Sequence, residues 1–203
     1  MARLRAETGM LQRRVERELA GFGDAASWLD YRLYLCRMYG FLVPIEAALG
    51  ETPGLAEAVP DAGVRNHKVA LLAHDLLSLG VEQRHLGQIP RIAVPPLGEL
   101  PEALGWMYVV ESATLDADEL ARHLAARLPA ELEHAAAYLR CYGGELHARW
   151  CDFGAAMEAY VGVADAGTCD RIVLAATDCL FRFHRWLAPS SWVSHTRAGR
   201  VVA

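Results

Sequence analysis

Apolar residues in this chain recur at spacings of three and four over most of its 203 residues, and no stretch alternates apolar and polar positions as a half-buried strand would. From Leu4 the series runs through Thr8, Leu11, Val15, Leu19 and Phe22, one stripe of a helix that Gly21 and Gly23 are expected to end. A second helix opens near Ala25 with Trp28, Tyr31, Leu35, Met38 and Leu42 on one face, and Gly40 and Pro44 predict a kink or break in it. Gly50 to Pro60 reads as loop. A third helix follows from about Val64, with Leu72, Leu76 and Leu79 inward and Gly80 just past its end. Pro90, Pro95, Pro96 and Pro101 make Gln88 to Pro101 an extended connection. A fourth helix starts after Pro101, is interrupted by small and polar residues over Glu111 to Asp118, resumes through Leu120 and Leu124, and stops at Pro129. A fifth, Ala130 to Tyr142, is divided by Gly143 and Gly144 from a sixth reaching about Val161. The seventh carries Ile172, Ala176, Cys179, Phe183 and Trp186 until Pro189 closes it. The expected fold is all-α: one helical bundle of six to eight helices over residues 1–203, without repeat or linker.

A chain of this length, 53% hydrophobic, buries about 70% of its unfolded surface and needs no disulfide or metal staple. The five cysteines, Cys36, Cys141, Cys151, Cys169 and Cys179, are odd in number and contain no C-x-x-C pair, so they read as reduced thiols of a cytoplasmic protein. Net charge is −5 and Lys68 is the one lysine, which argues against nucleic acid as the main partner. The first twenty residues interleave arginines with glutamates and hold no apolar signal core. Runs such as Val69 to Ala73 and Trp106 to Val110 fall short of the roughly 20 residues of a membrane span, so a soluble protein is expected.

Three ordered segments resemble the bacterial heme oxygenases, particularly the kind that supply biliverdin to phytochromes. They are Leu4-Arg5-Ala6-Glu7-Thr8 with Gln12 and Glu16; Tyr39 to Glu46 with Arg65 and Asp75 to Gly80; and Leu104 to Glu111 with Thr114, Leu115, Arg122 and His123, followed by Trp150, Phe183 and Trp186. The resemblance implies a heme held between a proximal helix near the N-terminus and a distal helix in mid-chain. It also implies oxidative opening of heme to biliverdin, iron and CO, with electrons from a reductase or ferredoxin. The heme-pocket positions it implies are Gln12, Glu16, Tyr108, Ser112, Ala113, Asp116, Ala117 and Arg182.

The chain departs from the family at the positions that matter most. The proximal histidine falls at Gln12, and no histidine precedes His67. A neutral amide oxygen is a poor iron ligand beside imidazole. The family's distal Glu-Gly-Ser-Thr-Leu-Gly-Gly meets Glu111-Ser112-Ala113-Thr114-Leu115-Asp116-Ala117, so Ser112, Asp116 and Ala117 replace three glycines whose missing Cβ lets a main chain lie against the porphyrin. Asp116 in a dry pocket would be costly, which predicts that it is hydrated, paired or outside the cavity. The departures predict a heme-oxygenase-like protein whose heme binding and ordinary activity are impaired or lost. One alternative is a non-enzymatic module binding a small molecule or a protein on the same scaffold.

A second alternative is a di-iron carboxylate oxygenase, which needs two Glu-x-x-His pairs and two further glutamates. Glu82 with His85 and Glu131 with His134 have that spacing, but the first pair falls in a loop and the second opens a helix. His67 and His74, seven apart beside Asp75, lack further ligands at helical spacing. Arg182 and Arg185, with Arg13, Arg14 and Arg17, could meet carboxylates such as heme propionates; the competing reading is a solvated face with Asp178 and Arg182 as an i,i+4 pair. Cys151, four after His147, reads as structural, as does Cys141.

Overall fold

The computed structural model describes residues 1–188. Its elements are α1 (Ala2–Ala25), α2 (Trp28–Gly50), α3 (Leu55–Ala58), α4 (Ala62–Arg65), α5 (Lys68–Ser78), α6 (Gln83–Leu86), α7 (Leu100–Ala125), α8 (Pro129–His134), a 3-10 turn (Gly143–Glu145), α9 (Leu146–Val163) and α10 (Thr168–Leu187). There is no strand among the described residues. The six long helices form the expected all-α bundle; α3, α4, α6 and α8 are of four to six residues. Pro189, the expected stop of the last helix, lies outside the described residues.

The centre of the bundle is α7. Trp106, Met107, Tyr108, Val109 and Val110 are consecutive and all buried, which places this helix among partners on every side. Contacts with α1 and α10 flank it. The pairs Gln12 with Tyr108 and Gly23 with His123 show α1 and α7 running in the same direction. Arg3 with Asp170 and Glu18 with His184 show the same of α1 and α10. Arg171 of α10 grips Glu102 at the start of α7 through two hydrogen bonds of 3.0 and 2.8 Å.

Several helix ends differ from the sequence expectation, each for a tertiary reason. Gly21 and Gly23 do not end α1, which continues to Ala25, where Ser27 and Asp30 form a capping box for α2. At Gly23 the backbone of α1 meets α7 so closely that an added Cβ would stand 2.8 Å from His123 Cβ. Nor does Pro44 break α2. Proline withholds the N–H that Gly40 O would have received, and Ile92 N–H from the extended segment supplies it instead at 3.2 Å. The polar run of α7 does not interrupt it either. Ser112 Oγ and Thr114 Oγ1 donate back to Val109 O and Val110 O at 3.0 and 2.9 Å, so neither competes for a partner outside the helix.

The expected third helix is split into α4 and α5, and the expected fifth stops at His134. Beyond it, Asp75 accepts from Ala137 N and Tyr138 N at 2.9 and 2.8 Å, while Tyr31 Oη donates to Ala135 O at 2.5 Å. These side chains satisfy the backbone that helical bonds would otherwise have claimed.

Among the described residues one helix, α2, is long and apolar enough to cross a membrane by length and composition. Scattered polar residues hide that window from a scan for unbroken apolar runs. Its Tyr31, Leu35, Met38, Phe41, Leu42 and Ile45 are buried in the bundle, as in a core helix.

Candidate functional site

The implied heme position lies between α1 and α7, and the two helices meet there along their length. Positions 108, 112, 116, 120 and 123 share one face of α7 by helical periodicity, and this face meets α1. Gln12 Nε2 donates to Tyr108 Oη at 3.2 Å. The Thr8 hydroxyl, bonded to Leu4 O at 2.7 Å, lies 3.2 Å from Gln12 Oε1. Tyr108 is buried, with its ring 5.6 Å from that of Trp150. One turn on, Ser112 shares the face, its hydroxyl turned back to its own helix.

Farther along, Glu16 and Asp116 border a space of about 40 Å³ together with Leu19, Ala20, Glu119, Leu120 and His123. Burial, and next the Glu16 carboxylate, push the Asp116 carboxyl up to about 7. The space is large enough for water, which requires about 10–15 Å³ of this kind of volume. Asp116 is partly buried and borders this space. At the far end His123 Nδ1 lies 3.1 Å from Asp24 Oδ1 and its Nε2 lies 3.3 Å from Glu119 Oε1, an ion pair when the ring is protonated.

Gln12, Glu16, Tyr108, Ser112 and Asp116 are therefore brought to one seam. Ala113 and Ala117 are buried within the bundle. Arg182 is not at the seam. It lies on α10 beside Arg185, bonded to Asp178 Oδ2 at 2.9 Å and to Ala93 O at 3.3 Å. Arg14 and Arg17 are spent on their own helix, with Glu18 and with Arg13 O.

This seam does not fit a heme. A buried small-molecule site takes about 300–1,000 Å³, against about 40 Å³ here. The amide at the proximal position is directed at Tyr108, not into a vacancy. A hollow of about 430 Å³ lies against Leu19, Phe22, Leu33 and Tyr34, but no residue of α7 lines it.

Several residues that carry the family resemblance prove to be scaffold. Glu111, Arg65 and Lys68 are buried together. Arg65 Nη1 donates to Glu111 Oε2 at 2.8 Å, and Lys68 Nζ donates to Glu111 Oε1 and Tyr142 Oη, both at 2.9 Å. Arg65 also donates to Arg149 O, and Lys68 to Arg65 O, so each buried cation is satisfied. Glu46 caps α5 by accepting from Val69 N at 3.2 Å. Sequence reasoning marks Lys68 as the one lysine but misses this role; its singularity in an arginine-rich chain is the available signal.

The di-iron constellation is not assembled. Among the described residues no group of three or more His, Cys, Asp or Glu could hold a metal ion. Glu82 pairs with Arg84 and His134 with Glu133, whereas His67 bonds Val64 O and His74 lies beside Asp75. Cys151 is exposed, 3.8 Å from His147 Nε2, and burial pushes the Cys141 thiol up to about 11.

No protein-family model matches the chain, and no curated protein matches it. Among solved structures, the NO- and CO-bound heme oxygenase from Neisseria meningitidis superposes with a TM-score of 0.72 at 19% identity, covering 92% of this chain and 88% of that one. The chain thus has the all-helical heme oxygenase fold, with its first and seventh helices sealed together where the resemblance implies heme.

Proposed function

We propose that this chain is a divergent relative of the bacterial heme oxygenases, of the phytochrome-associated kind its segments resemble, that no longer opens heme. On this reading it is a soluble cytoplasmic binding module for a small molecule or protein. The observation that carries the reading is the Gln12 to Tyr108 hydrogen bond, which occupies the proximal position with a bond to the distal helix. The narrow space around Asp116 supports it, because an ionised carboxylate there would face both Glu16 and any apolar macrocycle.

The test is turnover. Protein incubated with hemin, a reductase system and dioxygen is followed for biliverdin absorbance and CO release. The reading predicts neither product above the protein-free rate. One biliverdin per chain in a single turnover would overturn it. A four-site variant, Gln12→His with Ser112→Gly, Asp116→Gly and Ala117→Gly, is expected to bind more hemin than Gln12→His alone, since ligand and space were lost together.

A further inference from the structure

The groove that holds Arg182 lies away from the α1 to α7 seam, between the extended segment around residues 91–93 and the outer face of α10. It is a solvent-open groove of about 470 Å³. Arg91, Ile92 and Ala93 line one side; Asp178, Phe181, Arg182, Arg185 and Trp186 line the other. No residue of α1 or α7 takes part, so the chemistry of the groove does not depend on whether the seam admits heme.

The walls of this groove are fixed. Ile92 N–H is bonded to Gly40 O, the carbonyl that Pro44 leaves without a helical donor. Arg182 ties Ala93 O to α10 from the opposite side. Trp186 Nε1 donates to Arg37 O at 2.8 Å, which anchors the end of α10 to α2. The backbone of the 92–93 segment and the end of α10 are therefore held in place before any ligand arrives, which lowers the cost of binding.

Its charge is unusual for the molecule. Three guanidinium groups face one carboxylate, Asp178, and that carboxylate is already paired with Arg182 at 2.9 Å. This cationic concavity sits on a chain of net charge −5, and a concave wall of one sign concentrates counter-ions. Phe181, half exposed, lies under Arg185 with the guanidinium carbon 5.7 Å from the ring centroid. An arginine fork matches a carboxylate, and an exposed ring with a guanidinium above it offers a planar surface for stacking.

We propose that this groove binds a small anionic molecule with a planar aromatic body, its carboxylate held by Arg91 and Arg185 and its ring laid against Phe181. The probe is 1-naphthoate, titrated calorimetrically into the full-length protein, with 1-naphthamide as the neutral isostere and acetate as the anion without a ring. Expected is one-to-one binding of naphthoate, with both controls and the Arg91→Gln/Arg185→Gln variant weaker by about tenfold or more. Both arginines are exposed, and an unchanged melting temperature confirms that the variant is folded. No saturable naphthoate binding, equal binding of the amide, or equal binding by the folded double variant overturns the proposal.

Discussion

Gln12 on the first helix and Tyr108 on the seventh are joined side chain to side chain, Nε2 to Oη at 3.2 Å, across 96 positions of sequence. The bond has two consequences. It consumes the one polar group that stands where the resemblance puts an iron ligand, and it fixes how far apart the two helices sit.

If the pair acts as a clasp, Tyr108→Phe should destabilise the fold by about 0.5–1.5 kcal/mol, the net worth of an ordinary hydrogen bond. Gln12→Leu should cost a similar amount, and the double variant less than the sum of the two. Denaturant melts of the four proteins check this; strict additivity would show that the bond carries no energy.

The two glycines near the end of α1 should respond oppositely to alanine. Nothing lies within 4 Å of a Cβ built on Gly21, whereas one on Gly23 meets His123 Cβ at 2.8 Å and Leu120 at 3.0 Å. Gly21→Ala should gain about 0.5–1 kcal/mol of helix stability, and Gly23→Ala should lose about 1–3 kcal/mol through overpacking. Thermal melts of the two variants side by side give the answer.

Removing the acid of the buried cluster leaves two cations facing one another. Glu111→Ala should therefore cost about 3–5 kcal/mol, while Tyr142→Phe, which leaves both salt bridges in place, should cost about 1 kcal/mol. Chemical denaturation of both variants provides the measurement, and near-equal losses would contradict the account.

Asp116 gives the seam a pH dependence whose sign is fixed. Its carboxyl is raised from the ordinary 3.8 to about 7 by burial and by Glu16. Between these values the folded chain holds a proton that the unfolded chain has released. The stabilisation is thus complete below about 4 and is lost as pH rises to about 7. At roughly 1.4 kcal/mol per pKa unit the ceiling is about 4 kcal/mol. Asp116→Asn, which mimics the protonated group, should flatten the stability profile over this window and be the more stable protein at pH 8. Parallel profiles for the two proteins would rule out a strained Asp116.

The helical class of the fold was legible because three-and-four spacing is a property of a single segment. What escaped the sequence depends on groups far along the chain. Pro44 looks like a helix breaker until Ile92, 48 residues later, supplies the missing donor. The 135–142 segment reads as helix until Asp75 and Tyr31 claim its backbone. The seam was legible in part: resemblance placed Gln12, Tyr108 and Asp116 at one site, and the structure brings them to one interface. Arg182 went astray because its side of α10 depends on how the Pro-rich segment folds back, which no local spacing records.

The central claim is that the seam is closed to heme, and a hemin titration of the unmodified protein tests it most directly. Absorbance difference spectra, recorded against equal hemin in buffer, should show no saturable Soret band at one equivalent. A sharp one-to-one endpoint, with the spectrum of a protein-ligated iron, would contradict the closed seam.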